Sequence, residues 1–292
     1  MQISTPAKPV SASGVGGPHA APLMEAERAA ALEFLERRPV HNVIMSGWLM
    51  EHGVVSDRHR GAFYRTLDAQ GAIDGVALIG RHTLFEASSD QALFALADEA
   101  RRHTDIRMVF GEADRLPDFW YRFSTGARSR TDSRSELLFE RRSVAGMIDP
   151  DLTVGLAGAA HLERVAEAHA RMVQDETGID PLDEDPEGFR ERCRFRIESG
   201  KTWIALSADG ELLFKTEVVS RTPSAVYIEC VWLNPKFRGR NLAKKCLENL
   251  CHELLDGTNA VCGFVDGSDH RALSLYRRAG FEMAQRYRKI YV

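Results

Sequence analysis

The 292-residue chain reads as an α+β or α/β protein in two units, and three observations carry that reading. Strand-like runs alternate with runs of helical periodicity in both halves, the pattern of sheets flanked by helices. One run in the second half, "SAVYIECVWL" at 224–233, is apolar on both faces, as a strand central to a sheet must be. The length gives core enough for two domains of ordinary size, expected at 23–148 and 149–292 behind a tail at 1–22.

The tail, "MQISTPAKPVSASGVGGPHAAP", is rich in Pro, Gly, Ser and Ala and has no periodicity, so it reads as flexible. "AERAAALEFLERRP" predicts a helix stopped by Pro39, and "NVIMSGWLMEHG" a second one. "GAFYRTLDAQGAIDGVALIGRHTLFEA" predicts a strand meander with Gly turns at "AQG" and "IDG". Ser88 with Gln91 three residues on reads as a capping box for "DQALFALADEARRH". "DIRMVFG" is a short strand, "EADRLPDFWYRF" a helix and "SELLFERR" a strand.

The second unit opens with a strand in "LTVGLAG" and a helix in "AHLERVAEAHARMVQDETG" ended by Gly178. After the acidic loop "IDPLDED", "EDPEGFRERCRFRIESG" has Pro186 at its start and Gly200 past its end, the usual asymmetry of a helix. In "KTWIALSADGELLFKTEVVS", Asp-Gly between two apolar runs signals a hairpin. The central strand follows, with Val226, Ile228, Cys230 and Trp232 expected on one face and Tyr227, Glu229, Val231 and Leu233 on the other.

Composition narrows the function classes. A formal charge of -4 with 44% hydrophobic residues describes an ordinary soluble protein without the basic excess of a nucleic-acid binder. No apolar run approaches the roughly 20 residues that span a bilayer, and the N-terminus lacks the order of a signal peptide, so a cytoplasmic protein with no membrane partner is expected. The five cysteines form no C-x-x-C pair, sit inside expected strands and helices, and read as reduced core thiols with no metal site. Oligomeric state is not legible.

The stretch with chemistry is "NPKFRGRNLAKKCL" at 234–247, between the central strand and a helix starting near Asn241. A helix's first N–H groups lack intrahelical partners and lie at the positive end of its dipole, which makes the loop an anion receptor. Arg238 and Arg240 add fixed positive charge, and Gly239 keeps no side chain between ligand and backbone. A solvated basic face is the bland alternative for that loop alone. Downstream, "AVCGFVDGSDHRALSLYRRAGFEM" adds a strand, a turn, a helix and a Gly280-Phe281 stop.

Taken together, the Pro-x-x-Arg-Gly loop, its helix, the next strand and "LYRRAGF" resemble the GNAT superfamily of N-acetyltransferases. The resemblance covers 151–292 and implies a mixed, largely antiparallel sheet flanked by helices, with acetyl-CoA as co-substrate and no metal. It implies that Arg238, Gly239, Arg240, Asn241, Leu242 and Ala243 form the pyrophosphate loop, that Val231 and Leu233 offer the backbone edge for pantetheine, and that Tyr276 is the candidate acid. Asn241 stands where the family has a glycine, and Asp269 where it often has a CoA-contacting Asn; Asp269 reads here as a helix cap. The first half resembles a degenerate second copy of the same fold, with "VFGEADRL" where the phosphate loop would be.

Acyl transfer to an amine needs a proton acceptor, because an alkyl ammonium has a pKa of about 10. Glu229 is the first candidate base, since a carboxylate on a central strand is costly to desolvate; Glu217 in "FKTEV" is the second. Tyr276 reads either as a core aromatic or as the acid. Backbone N–H groups of the central strand would polarise the thioester carbonyl. Asp175 and Glu176 lie where an acceptor cleft is expected and would attract a cationic amine. The function so read is acetyl transfer to a small-molecule amine by direct attack, against two alternatives: a non-catalytic CoA-binding or regulatory module, and a protein or peptide N-acetyltransferase.

Overall fold

The computed structural model describes residues 19–125, 130–144 and 148–292; the expected tail falls outside these except for its last residues. Those do not hang free, because β1 (Ala21–Pro22) pairs antiparallel with β3 and Leu23 N–H donates to Phe63 O. The first half then runs α1 (Arg28–Glu36), α2 (Pro39–His52), β2 (Val55–Ser56), β3 (Gly61–Leu67), β4 (Ile73–Gly80), β5 (His82–Ala87), α3 (Asp90–Ala100), β6 (Met108–Glu112), α4 (Leu116–Phe123) and β7 (Asp132–Arg141). The second runs β8 (Gly155–Leu156), α5 (Leu162–Thr177), α6 (Pro181–Glu184), α7 (Pro186–Glu198), β9 (Thr202–Leu206), β10 (Leu212–Arg221), β11 (Val226–Leu233), α8 (Leu242–Leu255), β12 (Val261–Asp266), α9 (His270–Arg278) and β13 (Glu282–Tyr291).

Local chemistry explains most boundaries. Pro39 does not merely stop α1; it opens α2, since its missing N–H costs nothing in a first turn. Gly178 closes α5 in the left-handed conformation at φ 77°. "IDG" is not a turn, because Ile73 to Gly75 lie within β4; the second bend of the meander is at Arg81. Just before it Gly80 lets β4 approach the start of β3 closely, since a Cβ there would sit 2.1 Å from Arg60 O. The cap of α3 is Ser89, whose hydroxyl accepts from Ala92 N–H at 3.1 Å, rather than Ser88. The strand expected in "LTVGLAG" shrinks to Gly155–Leu156 at the sheet edge.

The sheet is continuous through both halves, in the order β1-β3-β4-β5-β6-β13-β7-β12-β11-β10-β9-β8, with β2 on β3. It is antiparallel except at β5/β6 and β11/β12, so an α+β fold with a mixed, largely antiparallel sheet is what forms. The halves exchange their last strands: β13 lies between β6 and β7, while β7 lies against β12. Helices cover both faces. Val76 and Leu78 of β4 share a core with α1 and α2, while Ala77 and Ile79 share one with α3 and α4. In the second half α8 and α9 form one core, and α5 and α7 pack on the other face.

The expected alternation of β11 holds only as far as Glu229. One residue of β10 (Thr216) faces two of β11 (Cys230 and Val231) between the pairs Lys215↔Trp232 and Glu217↔Glu229, and Cys230 has φ 54°. This is a β-bulge, and the extra residue reverses which face each later side chain takes. Val226 and Ile228 pack towards α8; beyond the bulge Val231 and Leu233 do so, while Trp232 joins α5 and α7. Glu229 therefore does not share a face with Val231 and Leu233. It lies on the α5 and α7 side, within electrostatic reach of Arg196, Lys215 and Glu217.

Candidate functional site

β11 and β12 are parallel neighbours that stay paired for two residues only, Val226↔Val261 and Tyr227↔Cys262. Beyond them the strands diverge, so the β12-facing edge of β11, Val231 and Leu233 included, has no ladder partner there. The bulge at Cys230 falls within this free edge.

Gly263 lines the apex of the divergence. A Cβ built on it would lie 2.9 Å from the Tyr276 hydroxyl and 3.0 Å from Ile228 O, so the glycine lets Tyr276 of α9 reach in beneath the two strands. Tyr276 is held by Phe139 and Phe281, with ring centroids at 5.8 and 4.9 Å, and its hydroxyl has no hydrogen-bond partner among the described residues. Burial pushes its pKa far above the ordinary phenol value, and nearby Cys251, Cys262, Cys230 and Glu229 push the same way, so the hydroxyl keeps its proton at any physiological pH.

From the open end of the divergence the chain turns through Asn234-Pro235, where the Asn234 side chain accepts from Lys236 N–H, and enters α8. Gly239 (φ 80°) and Asn241 (φ 58°) are both left-handed. Asn241 thus supplies the backbone conformation that a glycine would, as Asn does more readily than most residues. No side chain caps α8, so the N–H groups around Leu242 and Ala243 point into the loop unclaimed. Of the nearby cations, Lys236, Lys244 and Lys245 pair with Glu211, Glu248 and Asp149. Arg238 and Arg240 are exposed and have no ion-pair partner among the described residues. Asp269 spends its carboxylate on capping α9, accepting from Arg271 and Ala272 N–H at 3.0 and 2.9 Å.

On the α5 and α7 side the Glu229 carboxylate is half-buried, and it accepts a weak hydrogen bond from Cys230 Sγ at 4.0 Å. Burial raises its pKa, while Arg196 and Lys215 pull it back in part. Burial and Glu229 lift the Cys230 thiol to about 12, leaving it no thiolate for nucleophilic work. Glu217 is placed differently: both its oxygens are taken, by Lys215 Nζ and by the Thr202 hydroxyl, each at 2.8 Å. Sequence reasoning missed this buried group. Lys215 is fully buried and also meets His169 Nδ1 at 3.2 Å, while Arg196 reaches Nε2 at 3.2 Å. Burial first, then these two cations, drive the His169 pKa down to about 3. The signal that could have found it is Lys-x-Glu in an otherwise apolar strand, which puts opposite charges on one face.

Asp175 and Glu176 are exposed at the C-terminal end of α5, and Glu176 lies within electrostatic reach of Arg134 on β7. No helix among the described residues is long and apolar enough to cross a membrane, and no cluster of His, Cys, Asp or Glu there could hold a metal ion.

The segment that carries this loop and the diverging strand pair is matched by a known family. Residues 165–281 fit the model of the acetyltransferase (GNAT) family. This part of the chain is a GNAT domain.

Solved structures extend the likeness of fold to nearly the whole chain. A Drosophila protein is 14% identical, with a TM-score of 0.64 over 94% of this chain and 99% of that one. A tandem GNAT protein from the clavulanic acid biosynthesis pathway is 13% identical, with a TM-score of 0.59 over 94% and 98%. A GNAT-family acetyltransferase from Colwellia psychrerythraea is 12% identical, with a TM-score of 0.53 over 93% and 98%. No curated protein matched the chain.

The first half repeats the element order of the GNAT domain: β3-β4-β5-α3-β6-α4-β7 beside β9-β10-β11-α8-β12-α9-β13. This overturns one reading. "VFGEADRL" is the β6-to-α4 junction, equivalent to "FVDGSDHRAL" between β12 and α9. The place of the phosphate loop is the two-residue turn Ser88-Ser89, too short to wrap an anion, with Ser89 already capping α3.

Proposed function

We propose that the GNAT domain transfers an acetyl group from acetyl-CoA to a primary amine of a small molecule, by direct attack and in the cytoplasm. The observation that carries the reading is the uncapped start of α8 with two unpaired guanidinium groups, opening onto diverging strands with a free tyrosine hydroxyl at the apex.

In this reading the backbone N–H groups at 240–243, with Arg238 and Arg240, hold the pyrophosphate, and the edge of β11 at Val231 and Leu233 orients the pantetheine arm. A β11 N–H beside the bulge polarises the thioester carbonyl as its carbon is attacked. Glu229 is the base: its raised pKa suits it to take the proton that the amine loses as the C–N bond forms. As the C–S bond breaks, Tyr276 gives its proton to the thiolate sulfur and recovers one from solvent. Amine and thioester become amide and free thiol, so atoms and charge balance. Glu217, with both oxygens claimed, serves as counter-ion to Lys215. Asp175 and Glu176 draw the cationic acceptor towards the cleft.

The test is turnover against a panel of small amines, beside acetyl-CoA titration, for Tyr276→Phe and Glu229→Gln. The reading expects both variants to lose turnover while their affinity for acetyl-CoA stays within about twofold. Unchanged turnover in both would overturn these roles. A wild type that binds acetyl-CoA but acetylates no amine would favour a non-catalytic CoA-binding module instead.

A further inference from the structure

The first half has a cavity of about 260 Å³ between α2 and the ends of β5 and β6. Its polar wall is a network. Arg38, just ahead of α2, donates to Glu86 of β5 at 3.1 Å and to Glu112 at the end of β6, and reaches His41 Nδ1 at 2.9 Å. The His41 nitrogen in turn meets the Tyr287 hydroxyl at 3.0 Å. Its apolar wall is three rings from β6, β12 and β13: Phe110, Phe264 and Tyr287, with centroids 4.8 to 5.2 Å apart. The strand exchange brings Tyr287 here on β13, and β12 of the other half supplies Phe264.

Charge and shape together name a ligand class. The Glu86 and Glu112 side chains are only 14% and 12% exposed, yet share one guanidinium, which leaves an excess of carboxylate over cation on the wall of a half-open site. Arg38 offers an anion little, because its terminal nitrogens are already engaged by Glu86, Glu112 and His41. A cation finds two carboxylates and the faces or edges of three aromatic rings, the chemistry that holds organic ammonium groups.

Acyl transfer is not available at this place. Between β5 and β6 the Phe85 ring stacks on Phe119 at 4.3 Å and overlies Gly111, where a Cβ would lie 2.5 Å from Phe85 Cζ. The gap that the second half leaves open beside Tyr276 is filled here, and the Ser88-Ser89 turn offers no anion loop.

We propose that this cavity is a second ligand site, which binds a compact organic ammonium ion without acetylating it. The inference does not depend on the catalytic reading, and its test reads binding alone.

The experiment is hydrogen–deuterium exchange and thermal melting of the full chain with benzylammonium, using benzyl alcohol and benzoate as uncharged and anionic probes. The ammonium is expected to slow exchange in 38–45 and 108–112 and to raise the melting temperature, the other two probes to do neither. Glu86→Gln should weaken binding roughly tenfold or more. Ile44→Trp, which fills the cavity without touching its charges, should do the same, whereas Arg238→Glu with Arg240→Glu should bind benzylammonium as the wild type does. Absence of protection, equal protection by benzyl alcohol or benzoate, or protection confined to 171–185 overturns the proposal. The wild-type probe series decides even if a cavity variant fails to fold.

Discussion

Reversing both charges of the pyrophosphate loop, Arg238→Glu with Arg240→Glu, separates a cofactor loop from a merely basic surface. Both side chains are exposed and unpaired among the described residues, so the fold loses nothing by the change. The ligand loses much. At about 5 Å in water a pair of unit charges is worth about 0.8 kcal/mol. A Debye length of about 8 Å at physiological ionic strength roughly halves that. Taken over two side chains and two phosphate charges, and counting both lost attraction and new repulsion, the change is about 3 kcal/mol, or about a hundredfold in Kd. Isothermal titration with acetyl-CoA measures it. At 1 M salt, where the Debye length is about 3 Å, the same pair of proteins should differ by only about tenfold. Equal affinities at low salt, or a difference that salt leaves unchanged, would refute the placement of the pyrophosphate on this loop.

Other consequences follow from the same geometry. Gly263→Ala puts a methyl 2.9 Å from the Tyr276 hydroxyl, so turnover should fall sharply while stability drops by about 1–3 kcal/mol, read by paired kinetics and denaturant unfolding. Lys215→Met leaves the buried Glu217 charge uncompensated and should cost about 3–5 kcal/mol, whereas Lys215→Met with Glu217→Gln should recover most of it. His169, with its folded-state pKa depressed to about 3, is neutral in the fold; the stability this gives is complete above pH ~6.5 and is lost as pH falls towards 3. The slope should approach 1.4 kcal/mol per pH unit and disappear from unfolding curves of His169→Phe. Because Glu229 must be ionised to accept a proton, kcat/KM should rise with pH through a value above the ordinary carboxylate range, and Glu229→Gln should erase that limb of the profile.

What was legible in the sequence was local. The strand, loop and helix around "NPKFRGRNLAKKCL" carry their own signals, and Asn241 adopts the left-handed backbone its side chain tolerates. The bulge at Cys230 left no trace, because a strand apolar on both faces reads the same before and after a one-residue slip. The counterpart of the phosphate loop in the first half was not legible, because it is only the two-residue turn Ser88-Ser89 and carries no glycine or arginine. The Lys215–Glu217 pair has a local signal in Lys-x-Glu, but its links to His169 of α5 and Arg196 of α7 span long distances along the chain, which no local pattern announces.

The exchange of β7 and β13 has a consequence for how the protein is born. A ribosome delivers β6 and β7 long before β13, yet β13 is the strand that belongs between them. When residue 141 emerges, the first half has an open gap in its sheet and β7 has neither of its final neighbours, β12 or β13. The nascent chain must keep β6 and β7 from closing on each other, or part them later, until β13 (Glu282–Tyr291) arrives. Completion of either half therefore waits for β13, and a chain cut between the halves yields two fragments, each with the other's finishing strand.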